Sequence, residues 1–208
     1  MSTADDLITS LDKALRTLGG LNGPARANPA ADHAEGQLDE QQRQHVAGLM
    51  RVNHAGEICA QALYDGQAMT ARSPQAKQAL LAAAAEEQDH LAWCRQRLDE
   101  LDARPSVFDP LFYGASFALG AVAGLAGDRV SMGFVEATED QVVQHLERHL
   151  DTLPDQDQRS RAILETMRED EARHGQQALD SGGVAFPQPI KNLMTLVSKV
   201  MTETTYRT

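Results

Sequence analysis

Two short segments constrain this chain more than anything else in it: Glu87-Gln-Asp-His90 and its later echo, Glu171-Ala-Arg-His174. Each sets a carboxylate and an imidazole three residues apart, which on an α-helix places both on one face, one turn from each other. A lone glutamate precedes each, Glu57 by 30 residues and Glu139 by 32. The chain therefore carries the pattern Glu, then Glu-x-x-His, twice. One Glu-x-x-His can arise by chance on any solvated helix, but two copies with matched upstream glutamates are hard to dismiss.

Four glutamates and two histidines, spread over four helices, form the donor set with which helical bundles hold two iron or manganese ions. Iron in oxygen chemistry favours hard carboxylate oxygens with a few imidazoles and open positions for dioxygen. The spacing predicts an all-α, ferritin-like four-helix bundle built from two pseudo-symmetric helical hairpins. Its candidate ligands are Glu57, Glu87, His90, Glu139, Glu171 and His174. Glu136, one turn from Glu139 on the same face, competes with it, and register alone favours Glu139 only slightly.

Punctuation along the chain fits this plan. Leu7, Ile8, Leu11, Leu15 and Leu18 give residues 1–18 an apolar helical stripe. Residues 19–36, rich in Gly, Ala, Pro and Asn, read as a flexible linker without chemistry of its own. Asp39 with Gln42 signals a helix from about 40 to 71, and Ser73-Pro74 opens another to about 102. A third helix from about 128 to 151 carries Glu139. Asp155 with Gln158 reads as a capping box for a fourth, which ends near Gly182-Gly183. Ile190, Leu193, Met194, Val197, Val200 and Met201 then mark a C-terminal amphipathic helix. The resulting units are 1–38, a bundle over 39–183 with an apolar crossover at 106–127, and 184–208.

That crossover includes PLFYGASFALGAVAGLAG, uncharged between Asp109 and Asp128. Four glycines and a leading proline make it a weak membrane span, and on residues alone burial against the bundle is the better reading. With 4% aromatic residues and a net charge of −11, the composition favours helices over sheet and speaks against nucleic acid as the main partner. Cys59 and Cys94, both in helical tracts, imply no disulfide framework and a reducing compartment. No secretory signal and no Gly-rich dinucleotide fingerprint is evident, so reducing equivalents must come from outside the chain.

Other polar residues compete for places beside the metals. His54, one turn before Glu57, His145, six residues past Glu139, and Tyr64, two turns past Glu57, are candidates, with packing as the competing explanation. Glu86, Glu169 and Asp170 adjoin the ligands but point elsewhere around their helices, and read as either solvated or supporting the ligands from behind. Cys94 lies one turn past His90, and neither cysteine has a nucleophile's surroundings.

Arg51-Val-Asn-His-Ala-Gly-Glu57, Glu87-Gln-Asp-His90-Leu, the Pro110-Leu-Phe…Phe-Ala-Leu-Gly-Ala run, Glu139 and Glu171-Ala-Arg-His174 together resemble the demethoxyubiquinone hydroxylase family of ubiquinone biosynthesis, over roughly residues 45 to 205. The resemblance implies a di-iron monooxygenase that hydroxylates the ring of a polyprenylated methoxy-methyl-benzoquinol with O2 and an external reductant. It places the ligands at the six positions above, choosing Glu139 over Glu136. It also implies peripheral attachment to the cytoplasmic side of the cell membrane, with the apolar crossover facing the lipid and the C-terminal helix as a second contact. A ubiquinone-biosynthesis complex is a further expected partner. The alternatives are a di-iron oxidoreductase of the same architecture acting on tRNA, and a ferroxidase or iron-binding protein.

Overall fold

Side-chain caps set where the helices begin. The computed structural model describes residues 3–207, the side chains of 3, 4, 6 and 7 excepted. All of its regular structure is helical: α1 Thr3–Leu18, α2 Glu40–Thr70, α3 Pro74–Glu100, α4 Asp109–Leu125, α5 Asp128–Thr152, α6 Gln158–Asp180 and α7 Gln188–Tyr206. At α2 the Asp39 carboxylate accepts from the Gln42 amide at 2.8 Å, and the Gln42 side chain accepts from the Asp39 amide at 3.0 Å. This reciprocal pairing satisfies two donors that the helix itself leaves free. Ser73 caps α3 through the Ala76 amide, ahead of Pro74. The cap of α6 differs from the sequence expectation. Asp157, not Asp155, accepts from the Ser160 amide, and the buried Arg97 guanidinium fixes it there at 3.0 Å. A tertiary ion pair has overridden the local pattern.

α2 pairs with α3 and α5 with α6, and the two hairpins meet where α3 faces α6. One apolar cluster gathers Met50, Trp93, Leu98, Leu146, Ile163 and Met167 at one end of the bundle. A second gathers Tyr64, Leu80, Met132 and Val135 toward the other. Each fully buried large side chain in them stabilises by roughly 1.5–3 kcal/mol. The six candidate ligands occupy the register between the two clusters, in a buried and largely apolar frame.

Helix α4 is the apolar run, and burial describes only one of its faces. That face lies against α2 through glycine: Gly120 backs onto the Leu63 carbonyl and Gly66 of α2 onto the Phe117 carbonyl, where a Cβ would collide with backbone. Its other face leaves Leu111, Leu119, Val122 and Leu125 in the open. On α7, Leu193, Leu196, Val197 and Val200 are likewise exposed, as are Ile8, Leu11 and Leu15 on α1. The side chain of Leu7 lies outside the described residues. No helix among them is long and apolar enough to cross a membrane.

Residues 19–36 are not a free linker. Ala30 is fully buried in the first apolar cluster, Asn28 bonds Gln96 on α3, and Glu35 forms a two-pronged bond with Arg97 at 2.6 and 2.9 Å. The segment runs along α3 and reaches the centre of the bundle.

Candidate metal centre

Helical register brings the six candidates together. Glu57 comes from α2, Glu87 and His90 from α3, Glu139 from α5, and Glu171 and His174 from α6. None is more than 3% exposed. Glu57, Glu87, His90 and Glu171 each offer one ligand atom within 4.8 Å of the others. His174 adjoins them, its Nδ1 2.9 Å from Glu87 Oε1 and 3.3 Å from Glu171 Oε2.

The central pair of carboxylates is shared between the two imidazoles. Glu87 presents Oε2 to His90 Nδ1 at 2.9 Å and Oε1 to His174 Nδ1 at 2.9 Å. Glu171 presents Oε1 to His90 Nδ1 at 3.0 Å and Oε2 to His174 Nδ1 at 3.3 Å. The other two glutamates adjoin this core, Glu57 close to His90 and Glu139 within reach of the charges of Glu171, Glu87 and His174. Glu57 Oε2 is 3.9 Å from His90 Nδ1, and Glu139 Oε1 accepts a 2.6 Å bond from the Tyr64 hydroxyl. Tyr64 therefore does sit beside the cluster, joined to it by a hydrogen bond.

Electrostatics reveals what the cluster lacks. Burial, followed by the charges of Glu87 and Glu171, pushes the Glu57 carboxyl well above the usual carboxylate range. Glu139 rises for the same reasons. Burial alone would lower both imidazoles, but the surrounding carboxylates outweigh it, raising His90 strongly and His174 to about 11. Burial also opposes ionisation of Glu87, yet the charge of His90 and the bonds from both histidines hold its carboxyl below the usual range. Without a cation, then, burial and the neighbouring charges favour protons on Glu57, Glu139 and the two rings. Glu57 Oε2 is left buried with no hydrogen-bond partner. Divalent cations would replace those protons and take up that oxygen, and hard carboxylates with two imidazoles are the donors such ions select.

A second layer of acids holds the rings. Both histidines turn Nδ1 inward, and each turns Nε2 to an acid on the opposite hairpin: His90 to Asp170 Oδ2 at 3.0 Å, and His174 to Glu86 Oε2 at 3.3 Å. Arg173 ties the two acids together, with Nη2 2.7 Å from Glu86 Oε2 and 2.6 Å from Asp170 Oδ1. Glu86 and Asp170 thus touch the histidines although their own helical positions seemed to aim them away. Each is the residue just before a Glu-x-x-His glutamate, and that repeated placement was the signal available to find them.

Three other candidates lie elsewhere. His54 Nδ1 faces Asp109 Oδ2 at 3.2 Å, against the start of α4. His145 packs against His149, the rings tilted by 59° with centroids 3.9 Å apart. Burial and the Arg148 charge lower His145 to about 4, and neither ring touches the cluster. Glu136 binds Lys191 of α7 at 2.8 Å, which removes it from competition with Glu139. Cys94 contacts Met167 in the core, and burial raises Cys59 to about 11, so both thiols stay protonated.

The description "Ubiquinone biosynthesis protein COQ7" belongs to a family model that matches residues 44–205. Among similar proteins, the 3-demethoxyubiquinol 3-hydroxylases of Azotobacter vinelandii and Stutzerimonas stutzeri are each 58% identical over 207 residues, covering 99% of this chain and 96% of theirs. That of Pseudomonas aeruginosa PAO1 is 55% identical over the same span. The similarity extends through the N-terminal residues, beyond the stretch that the motifs alone suggested. With the doubled Glu-x-x-His folded into one buried cluster and a family match across most of its length, the chain belongs to the COQ7 family of ubiquinone biosynthesis proteins.

Proposed function

We propose that this chain is a di-iron monooxygenase that hydroxylates the ring of a polyprenylated methoxy-methyl-benzoquinol; its relatives bear the name 3-demethoxyubiquinol 3-hydroxylase. The observation that carries the reading is the division of Glu87 and Glu171 between His90 and His174. Two carboxylates that each offer one oxygen to each of two imidazoles would suit a pair of ions better than a single one.

In this reading Glu57 with His90 completes one metal position, and Glu139 with His174 completes the other. Iron held by these residues would supply the activation of dioxygen, with electrons from an external donor. The rest falls to this chain's residues. Tyr64 holds Glu139, and Asp170 and Glu86 keep both imidazoles turned inward. The apolar clusters on either side keep bulk water out, which strengthens every charge interaction inside. A cavity of about 10 Å³, lined by Leu63, Tyr64, Phe134 and Glu139, reaches Glu139 between α2 and α5. That is room for about one water, far less than a quinol ring needs.

The exposed apolar faces of α4, α1 and α7 suit attachment to the membrane that holds such a substrate. α4 touches both α1 and α2, so the polyprenyl tail can leave the lipid beside the helix that carries Glu57. A direct test is turnover under 18O2 with a short-tailed demethoxyubiquinol analogue and a chemical reductant. One labelled oxygen in the ring is expected. Iron-loaded protein that consumes oxygen without modifying the ring would overturn the substrate assignment.

A further inference from the structure

The two Glu-x-x-His motifs differ at the residue just before the histidine: Arg173 on α6, but Asp89 on α3. Arg173 clamps the acids behind the rings from within its own helix. Asp89 cannot do so, and it is nonetheless buried at 2% exposure, where a carboxylate needs a partner. Its partner comes from the segment before the bundle. Asp89 accepts from the Ala25 amide at 2.6 Å and from Arg26 Nε at 2.7 Å. The same guanidinium extends Nη1 to Asp170 Oδ2 at 2.7 Å, the oxygen that faces His90 Nε2, and lies 4.9 Å from the Trp93 ring centroid. Trp93 in turn packs on the His90 ring, with centroids 5.5 Å apart.

We infer that Arg26 is a positioning residue for the metal centre: by bridging Asp89 and Asp170 it fixes the carboxylate that orients His90, supplying from the N-terminal segment the clamp that Arg173 supplies from α6. The inference rests on the metal reading above. Arg26 touches no reacting atom and acts through Asp170. Its planar fork is what the site requires, since one guanidinium can serve two carboxylates at once whereas an ammonium is a single point of charge. Arg26 Nη2 also lies 3.3 Å from His90 Nε2. Both are donors when Asp170 accepts from the ring, so that approach is packing, and the carboxylate between them carries the bond.

The test is a cobalt(II) titration of the full-length, metal-free chain, followed by visible absorption, in the parent, R26Q, R26K and N28A. Groups that orient a metal-bound histidine typically contribute about 10–100-fold in affinity. R26Q is expected to lose about that much, and R26K to lose part of it. N28A breaks the Asn28–Gln96 bond and loosens the same segment without touching Asp170, so it should bind as the parent does. Parent-like binding by R26Q or R26K, or an equal loss in N28A, would overturn the assignment. A second readout needs no metal: the Nε2-bound proton of His90, held against Asp170, should exchange slowly in the parent by NMR and rapidly in R26Q, and equal exchange would overturn the assignment. If the parent bound no cobalt, the metal reading itself would fail, and the His90 signal would still decide the role of Arg26.

Discussion

Asp170 on α6 holds the Nε2 of His90 on α3 at 3.0 Å, and Glu86 on α3 returns the contact to His174 on α6 at 3.3 Å. Each acid serves the histidine of the opposite hairpin. The two halves of the site are therefore interlocked behind the ligands as well as through them. Asp170→Asn and Glu86→Gln keep the volume but remove the charge that fixes each ring. Each is expected to lower metal affinity by about 10–100-fold with little change in helix content. Titration with ferrous iron under nitrogen measures this, and unchanged affinity in both variants would show the acids to be mere packing.

Tyr64→Phe removes the hydroxyl that donates to Glu139 Oε1. In the metal-free protein the buried Oε1 then loses its donor, at a cost of about 1–3 kcal/mol in denaturant unfolding. A metal bound by Glu139 takes over that oxygen, so the loss should shrink on loading. An equal loss with and without metal would remove Glu139 from the ligand set.

His145 and His149 give the protein an acid-sensitive joint outside the site. Burial first, then neighbouring positive charge, lowers His145 to about 4 and His149 to about 2. Their folded values lie below the unfolded value of about 6.5, so their contribution to stability is present above pH 6.5 and is lost as the pH falls toward the folded values. His149→Phe should remove part of that loss, on the order of 2 kcal/mol at most between pH 7 and pH 5. Unfolding curves at pH 7 and pH 5 compare parent and variant, and parallel losses in both would contradict this.

The exposed apolar stripes predict lipid binding that can be separated from folding. Val122→Asp on α4 and the double change Leu196→Asp, Val200→Asp on α7 alter side chains already 63–66% exposed, so stability should shift by less than about 0.5 kcal/mol per site. Flotation with anionic vesicles should fall several-fold. Undiminished flotation in both variants would place the membrane contact elsewhere.

The sequence made the bundle legible because its signals are local and periodic. Carboxylate and imidazole one turn apart mark a face, and Asp39, Ser73 and Pro74 mark where helices begin. Contacts between distant segments carry no such mark. Arg26 lies in a Gly- and Pro-rich stretch that reads as a linker, and only the fold sets it between Asp89 and Asp170. His54 misleads for the converse reason. One turn from Glu57 is close along the helix, but α2 is buried on more than one side, and His54 faces α4 instead of the cluster. Residue spacing specifies a face, and the neighbour that the face meets is a property of the whole packing. The α6 cap teaches the same lesson, since Arg97 on α3 selects Asp157 over Asp155.

The most direct test of the account is an anaerobic ferrous iron titration of the metal-free chain, with bound iron counted per chain, alongside E171A. The account predicts about two ions per parent chain and a loss at both positions in the variant, because Glu171 faces both histidines. One ion per parent chain, or two that survive E171A unchanged, would contradict the shared carboxylate core on which the proposed function stands.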